Sequence, residues 1–433
     1  MNIPNSDLPR LVVIGGGFAG LNLAKSLKNL KLQIVILDKH NYHTFQPLLY
    51  QVATGGLESG SIAYPLRKVF QNFNNFFIRL AHVEEIDTQN QIIKADIGTI
   101  SFDYLVIATG SKTNFFGNKE IERHAISMKT IPQSLNIRSF ILENFENALL
   151  TNDKAEQKVL INFVLVGGGP TGVELAGALA EMKNAFLPKD YPDLDISKMQ
   201  INLIQSGDRI LNTMSEKSSE KAEKYLKNLG VTIIKNTRVT AYDGHTIFTN
   251  SGNTIESKTV IWTAGVEGAK IDGFKSEIFD KSNRIKVNTY NQVLGFQNIF
   301  AIGDIASMNI PNFENGLPMM AQPAIQQGLH LAENFKNILE NKQLISFQYK
   351  DKGSMATIGR NKAVVDLPNY HFGGFFAWLV WIIVHLFGLI GYKNRGEVLF
   401  NWIYNYVRFD RESRLIIRPY RKKENRSFVM DEI

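Results

Sequence analysis

FVLVGGGPTGVELAG, residues 163–177, is an apolar run broken by Gly167, Gly169 and Gly172 and followed by a helix-forming stretch. LVVIGGGFAGLNLAK, residues 11–25, sets out the same pattern with Gly15, Gly17 and Gly20, 152 residues earlier. Four continuous apolar residues before each turn suit a buried parallel strand. The glycines have separate tasks: the first makes the tight turn, the second lets the backbone approach a pyrophosphate, and the third lets the following helix pack close to the strand. A diphosphate then sits on the helix N-terminus, where free N–H groups and the dipole favour an anion.

A lone glycine fingerprint is a weak signal, so the flanking residues decide. QIVILD, 33–38, is a second apolar strand that ends in Asp38, 18 residues past Gly20. That spacing suits a carboxylate accepting hydrogen bonds from an adenosine ribose, with Lys39 beside the same edge; the alternative is a plain turn residue. The second copy lacks the acid. INLIQSGDRIL, 201–211, is the next strand there and puts Gln205 in the corresponding place. A carboxylate repels the 2′-phosphate of NADPH, whereas an amide bonds the ribose without that repulsion, so weakened discrimination between NADH and NADPH is expected. Arg209, four residues on, either meets a phosphate or makes an ordinary surface contact.

The distance between the two turns is too long for one mononucleotide pair and fits two doubly wound domains. FDYLVIATGS, 102–111, gives an apolar strand ending in a small-residue turn at Thr109 and Gly110, and WTAGV, 262–266, does the same later. IFAIGDIAS, 299–307, ends a strand in Gly303 and Asp304, a backbone-plus-carboxylate clasp for a sugar or ribityl hydroxyl.

The composition narrows the chemistry. With 433 residues, 44% hydrophobic and 21% charged, the chain is long enough for two or three globular domains. It contains no cysteine, which removes disulfides, thiolate metal sites and any redox-active cysteine pair. The eight histidines are scattered and no metal-ligand spacing occurs, so no metal is expected. MNIPNSDLPR lacks the apolar core of a targeting segment, so the protein is expected on the cytoplasmic side. The formal charge is +7, and from Phe375 onward ten Lys/Arg face six Asp/Glu. RFDRESRLIIRPYRKKENR, 408–426, is basic beside an apolar run, suited to anionic lipid or nucleic acid, or else a solvated tail.

These five motifs in this order resemble the two-dinucleotide-fold flavoproteins over residues 8–345. The resemblance implies an α/β protein of two Rossmann-like domains, with the NAD domain inserted in the FAD domain. Residues 1–155 and 273–348 are then the two parts of the FAD domain, 156–272 the NAD(P)H domain, and 349–433 a C-terminal anchoring and dimerisation region. Non-covalent FAD is expected on Gly15, Gly16, Gly17, Phe18, Ala19, Gly20, Asp38, Lys39, Val83, Thr109, Gly110, Gly303 and Asp304. The nicotinamide nucleotide is expected on Gly167, Gly169, Thr171, Gly172 and Gln205. A flavin without a cysteine partner hands its electrons directly to an external acceptor.

AQPAIQQG, 321–328, matches the A-Q-x-A-x-Q motif of the type II NADH dehydrogenases, single-chain NADH:quinone oxidoreductases. At helical spacing Gln322 and Gln326 lie one turn apart on one face, placed to offer two amides to a flavin edge or a quinone carbonyl. NYHTFQPLLYQVATG, 41–55, is similar to that family too, and most of it is expected to pack the core of the FAD domain. The resemblance further implies that Ala321 and Gln322 lie by the isoalloxazine, that Val83 meets the adenine through its main chain, and that Lys393 reaches toward the flavin and quinone. It also points to Glu174 as a residue near nicotinamide and quinone. On physical grounds a carboxylate near a helix N-terminus is favoured as the anion, and Glu174 serves either as a proton relay or as simple helix stabilisation.

FFAWLVWIIVHLFGLIGYKNRGEVLFNWIYNYV, 375–407, begins with 17 residues containing only His385 as an ionisable group, at the lower limit for spanning a bilayer. Val398, Leu399, Trp402, Ile403 and Tyr406 then form an apolar stripe with Asn401 and Asn405 off it, an amphipathic helix suited to a membrane interface. Peripheral attachment to an anionic surface is expected, with a single span or soluble dimer packing as the other readings. The family resemblance adds a membrane quinone, ubiquinone or menaquinone, as acceptor and a homodimer as assembly. The rival is a soluble reductase whose acceptor is a ferredoxin or another protein. Nucleic acid is not expected as a partner. Residues 181–200 are expected to form a surface excursion.

Overall fold

The computed structural model describes residues 1–408 and 413–417. Packing divides the chain into two units, each assembled from three stretches: 1–43, 63–112 and 266–351 in the first, 44–62, 113–265 and 352–433 in the second.

The first unit is built on a five-stranded parallel sheet in the order Ile299–Ala301, Tyr104–Ile107, Arg10–Ile14, Gln33–Asp38, Phe76–Leu80. Between their ends the inner strands are apolar because both faces are covered; Leu11, Val12, Val13, Leu105, Val106 and Ile107 are all fully buried. The helix Phe18–Ser26 follows the first strand, and the long helix Ala321–Leu339 packs beside it. Phe335 of the latter meets Phe300 and Tyr104 at ring separations of 5.2 and 5.6 Å. A three-stranded antiparallel meander, Val83–Asp87, Ile92–Ala95 and Gly98–Ser101, completes this core.

The second unit repeats the plan. Its parallel sheet runs Ile126–Ser127, Thr259–Trp262, Asn162–Val166, Gln200–Ile204, Thr232–Ile234. The helix Ile131–Leu150 starts on a reciprocal cap, in which Thr130 Oγ1 accepts Gln133 N–H and Gln133 Oε1 accepts Thr130 N–H. After the sheet come the hairpin strands Ser354–Thr357, Ala363–Leu367 and Tyr370–Gly374, then the helices Phe375–Gly388 and Tyr392–Arg408.

Two expectations change here. Residues 181–200 are not a solvent excursion: Phe186, Leu187, Tyr191, Leu194 and Met199 are buried, and the Tyr191 ring stacks 5.2 Å from Phe145 while its hydroxyl donates to Glu146 at 3.0 Å. Residues 44–62 do pack a core, but that of the second unit. Trp402 Nε1 donates to Gln51 Oε1 at 2.8 Å, and Asn394 donates to the carbonyls of Gly60 and Ser61.

The C-terminal helices are amphipathic with an unexpected orientation. Val398 is fully buried, and Asn405 turns inward to donate to Gly56 O at 3.0 Å. The outward rows are Phe375, Phe376, Ile383 and Phe387 on one helix and Leu399, Phe400, Ile403 and Val407 on the other. Among the described residues no helix is long and apolar enough to cross a membrane. Of the basic stretch 408–426, only Arg408 and residues 413–417 lie among the described residues.

Candidate active site

In the first unit the turn after Ile14 has the geometry that its glycines demand. Gly15 takes φ +105°, and a Cβ on Gly20 would lie 1.9 Å from Gly15 O, so neither position tolerates a side chain. Gly16 donates its N–H to Asp38 Oδ2 at 2.5 Å, and His40 N–H donates to Oδ1 at 2.6 Å. Burial raises the pKa of Asp38, and these two bonds pull against it. A carboxylate has about four lone-pair sites, so room remains for ribose hydroxyls. Ala81 N–H bonds Asp38 O at 2.9 Å, which brings the strand beginning at Val83 alongside; Lys39 points outward.

The neighbouring strand ends complete the frame. Ala108 N–H bonds Ile14 O, and Ile302 N–H bonds Ile107 O, so Thr109–Gly110 and Gly303–Asp304 sit at the same edge of the sheet as the glycine turn. Sequential strands lie on opposite sides of Arg10–Ile14, so this edge is the switch point where doubly wound sheets bind ligands. Thr109 Oγ1 donates to Ala269 O at 2.8 Å, and Ser111 Oγ to Asp304 Oδ2 at 2.5 Å. A Cβ on Gly17 or Gly110 would meet nothing within 4 Å, leaving open backbone beside the helix N-terminus at Phe18 and Ala19. Together these features fit a dinucleotide: bare N–H groups for a diphosphate, a carboxylate for a ribose, and a second carboxylate for a sugar-like chain.

Two residues escaped sequence reasoning. Gln327, 1% exposed, accepts the N–H of Gly303 on Oε1 at 2.8 Å and so sets the Gly-Asp turn. His43 is buried, its Nδ1 3.1 Å from Gly16 O and its ring edge-on to Phe18 at 5.0 Å; burial lowers its pKa and keeps it neutral. Gln326, by contrast, has both ends of its amide on the main chain of Lys350, at 2.9 and 3.0 Å. Ala321 and Gln322 form the first turn of the helix Ala321–Leu339, where N–H groups lack intrahelical acceptors.

The second unit repeats the turn. Gly167 takes φ +113°, and a Cβ on Gly172 would lie 1.9 Å from Gly167 O. Gly169 is the N-cap of the helix Pro170–Ala185, with Thr171 exposed at its second position. Gly168 N–H donates to Oε1 of Gln205 at 2.9 Å, so the amide occupies the place that the carboxylate holds in the first unit. Arg209 donates to the carbonyls of Met214 and Asn212, which makes it a loop brace.

Glu174 lies on the same helix, buried, with Thr357 N–H 3.4 Å from Oε1. Burial dominates over the N–H group of Thr357 that favours its anion, and pushes its pKa up to about 8. The expected anionic state is therefore reversed, because desolvation outweighs the helix dipole. At neutral pH Glu174 is an acid with a proton to give. Lys393 stands at the exposed start of the last helix, paired with Glu397 at 3.2 Å.

The pyridine nucleotide-disulphide oxidoreductase family matches residues 9–328, and the NDH2 C-terminal domain matches residues 352–411. The chain is 37% identical over 410 residues to the type II NADH:quinone oxidoreductase NdhA of Mycobacterium tuberculosis, covering 91% of this chain and 86% of that protein. It is 30% identical to the type II NADH:quinone oxidoreductase of Haemophilus influenzae, covering 84% and 88%. The structure of NDH2 from Plasmodium falciparum in complex with NADH superposes with a TM-score of 0.87 at 23% identity, covering 95% of this chain and all of that one.

Proposed function

The chain belongs to the type II NADH:quinone oxidoreductases, and from that premise we propose how its own residues carry the reaction. The enzyme is a single-chain, FAD-dependent NADH dehydrogenase that converts NADH, a proton and a quinone to NAD⁺ and a quinol without pumping protons. FAD, when bound, supplies the two-electron carrier between nicotinamide and quinone. The absence of cysteine fits this use of the fold, since no thiol pair stands between flavin and acceptor. The observation that carries the reading is the repeated glycine turn, one in each unit, each bonded to the residue at the end of its second strand.

In this reading the turn from Gly15 to Gly20 cradles the FAD diphosphate. Asp38 takes the adenosine ribose with Lys39 at its edge, the main chain at Val83 meets the adenine, and Thr109, Gly110, Gly303 and Asp304 close on the ribityl side. Ala321 and Gln322 offer helix N–H groups and an amide to the isoalloxazine, and Gln326 holds the register of their helix. The turn from Gly167 to Gly172, with Thr171, takes the NADH diphosphate, and Gln205 takes its ribose. NADPH is accepted as well, because an amide carries no charge against a 2′-phosphate.

Reduction of a quinone by two electrons requires two protons. Glu174, held neutral by burial, donates one of them to a quinone oxygen and is later reprotonated from water. Lys393 assists at the quinone headgroup; its exposed pair with Glu397 is weak and easily released. The outward apolar rows of the last two helices support peripheral attachment to an anionic membrane, from which ubiquinone or menaquinone enters without crossing water. Attachment on the cytoplasmic face and assembly as a homodimer complete the proposal.

The test is the steady-state rate of FAD-loaded protein with a short-chain quinone, using NADH and NADPH in turn. Rapid quinol formation with a small ratio between donors supports the reading. Retention in the soluble fraction, with turnover only on a protein acceptor, overturns it in favour of a soluble reductase.

A further inference from the structure

Two adjacent phenylalanines in the second unit differ in what surrounds them. The Phe115 ring packs on Trp262 at 5.9 Å, at the margin of the unit's core. Phe116 is 69% exposed. The turn 115–118 that carries them is closed by Asn118 N–H on Phe115 O at 3.0 Å, and both central residues have positive φ, 53° at Phe116 and 76° at Gly117. That is the pattern of a type I′ turn, whose first central place favours Asn, Asp or Gly. A phenylalanine there strains the backbone, because its Cβ crowds the chain in the left-handed region. Core packing does not offset the strain, since the ring buries little of its surface.

The turn is braced against one place on the sheet. Asn114 Oδ1 accepts Phe116 N–H at 2.7 Å, Asn114 N–H donates to Gly265 O at 3.2 Å, and Trp262 Nε1 donates to Asn114 O at 2.9 Å. The tip of the Phe116 ring therefore covers Gly265. A Cβ on that glycine, which takes φ +104°, would lie 3.0 Å from Phe116 Cζ. Residues 263–265 follow the strand Thr259–Trp262 and lean on the second glycine turn. Thr263 Oγ1 donates to Gly167 O at 3.0 Å, and a Cβ on Gly167 would lie 2.7 Å from Ala264 Cα.

Strand order decides which half of a dinucleotide reaches Phe116. Gln200–Ile204 and Thr259–Trp262 lie on opposite sides of Asn162–Val166, so a dinucleotide at this switch point has one half over each. With the adenosine ribose at Gln205, the nicotinamide half lies over residues 263–265. We propose that Phe116 is a further binding residue for NADH, its exposed ring forming an apolar cover on the nicotinamide riboside. The inference rests on the reading of the second unit as the NADH domain. Ligand pockets are lined mainly by apolar and aromatic side chains, and burial of this ring under the ligand offsets the strain of its turn.

Calorimetric titration of full-length, FAD-loaded protein tests this with two probes. ADP-ribose lacks the nicotinamide, and tetrahydro-NADH keeps a ring in its place but transfers no hydride. Phe116→Asn supplies the residue that the turn prefers. It is expected to raise the melting temperature and to weaken tetrahydro-NADH binding about tenfold, with ADP-ribose binding unchanged. Phe116→Tyr keeps the ring and is expected to bind both probes as the parent does. Unchanged affinity of Phe116→Asn for tetrahydro-NADH overturns the proposal. An equal loss for both probes, or a lower melting temperature, assigns the ring to the fold and overturns it too. Gly169→Asp tests the underlying reading separately. Gly169 is a helix N-cap with open space at its Cβ position, so an aspartate there is tolerated and its charge repels a diphosphate. Both probes are expected to lose affinity for this variant. Retained affinity overturns the assignment of the second unit to NADH, and the role of Phe116 with it.

Discussion

Gly168 donates its backbone N–H to Oε1 of Gln205 at 2.9 Å. The matching bond in the first unit runs from Gly16 to a carboxylate oxygen of Asp38. With its acceptor engaged by the turn, the Gln205 amide has its N–H donors left for the proposed nucleotide, and a donor suits a 2′-phosphate as well as a hydroxyl. Gln205→Glu restores the repulsive element on which selection against NADPH depends. It is expected to raise the ratio of kcat/KM for NADH over NADPH by about tenfold or more, an effect of ~1.4 kcal/mol. Measuring both donors in parent and variant checks this, and an unchanged ratio places selectivity elsewhere.

Glu174→Gln has two consequences that separate function from stability. Quinone turnover falls by about 10²-fold or more, the usual contribution of a positioned acid, while reduction of the flavin by NADH is retained. Stability moves the other way. Because burial raises the folded pKa of Glu174 to about 8 from 4.5, the folded state binds the extra proton between those values, and the parent loses stability as pH rises through that window. The gain from Glu174→Gln therefore grows from pH 4.5 to 8, by up to ~1.4 kcal/mol per pH unit, and is flat above. Thermal melting of both proteins across this range tests the slope, and parallel curves contradict the buried, protonated carboxyl.

Arg138 is 2% exposed on the helix Ile131–Leu150, and its guanidinium nitrogens find no acceptor among the described residues. Burial lowers its pKa, with only the Coulombic attraction of Glu58 opposing this. A buried charge without hydrogen bonds destabilises more than an apolar side chain of similar volume. Arg138→Met is expected to stabilise the protein by about 1 kcal/mol or more, read as a higher melting temperature at constant activity. A lower melting temperature would show that the guanidinium is satisfied in solution.

The outward row Phe400, Ile403 and Val407 gives the membrane reading a direct handle. Replacing all three by serine removes about 1.5–3 kcal/mol of apolar transfer per residue if each becomes fully buried in lipid. Binding to vesicles containing an anionic phospholipid is expected to fall by about three orders of magnitude or more, with short-chain quinone reduction preserved. Equal vesicle binding by parent and variant would remove these helices from the attachment surface.

The glycine turns were legible in the sequence because a backbone at φ above +100° and a Cβ position 1.9 Å from a carbonyl oxygen admit no other residue. Asp38 and Gln205 were legible for a similar reason, since the parallel register fixes where each second strand ends. The protonation of Glu174 was not, because it is set by burial, a product of packing between segments far apart in sequence, which outweighs the opposing N–H group of Thr357. Nor does helical periodicity separate Gln326 from Gln327. Which amide turns inward is set by the N–H of Gly303, and which turns outward by the main chain of Lys350. Asn405 escaped for the same cause: a polar residue faces inward when a buried carbonyl, here that of Gly56, is waiting for it.

The central claim is that electrons from NADH leave this chain directly to a quinone. Anaerobic stopped flow tests it in two mixes: FAD-loaded protein with one equivalent of NADH, then the reduced protein with a short-chain quinone. The account predicts bleaching of the flavin absorbance in the first mix and its full return in the second, with one quinol formed per flavin. Bleaching without return on quinone, followed by rapid return on a ferredoxin, would contradict it and assign the protein to the soluble reductases.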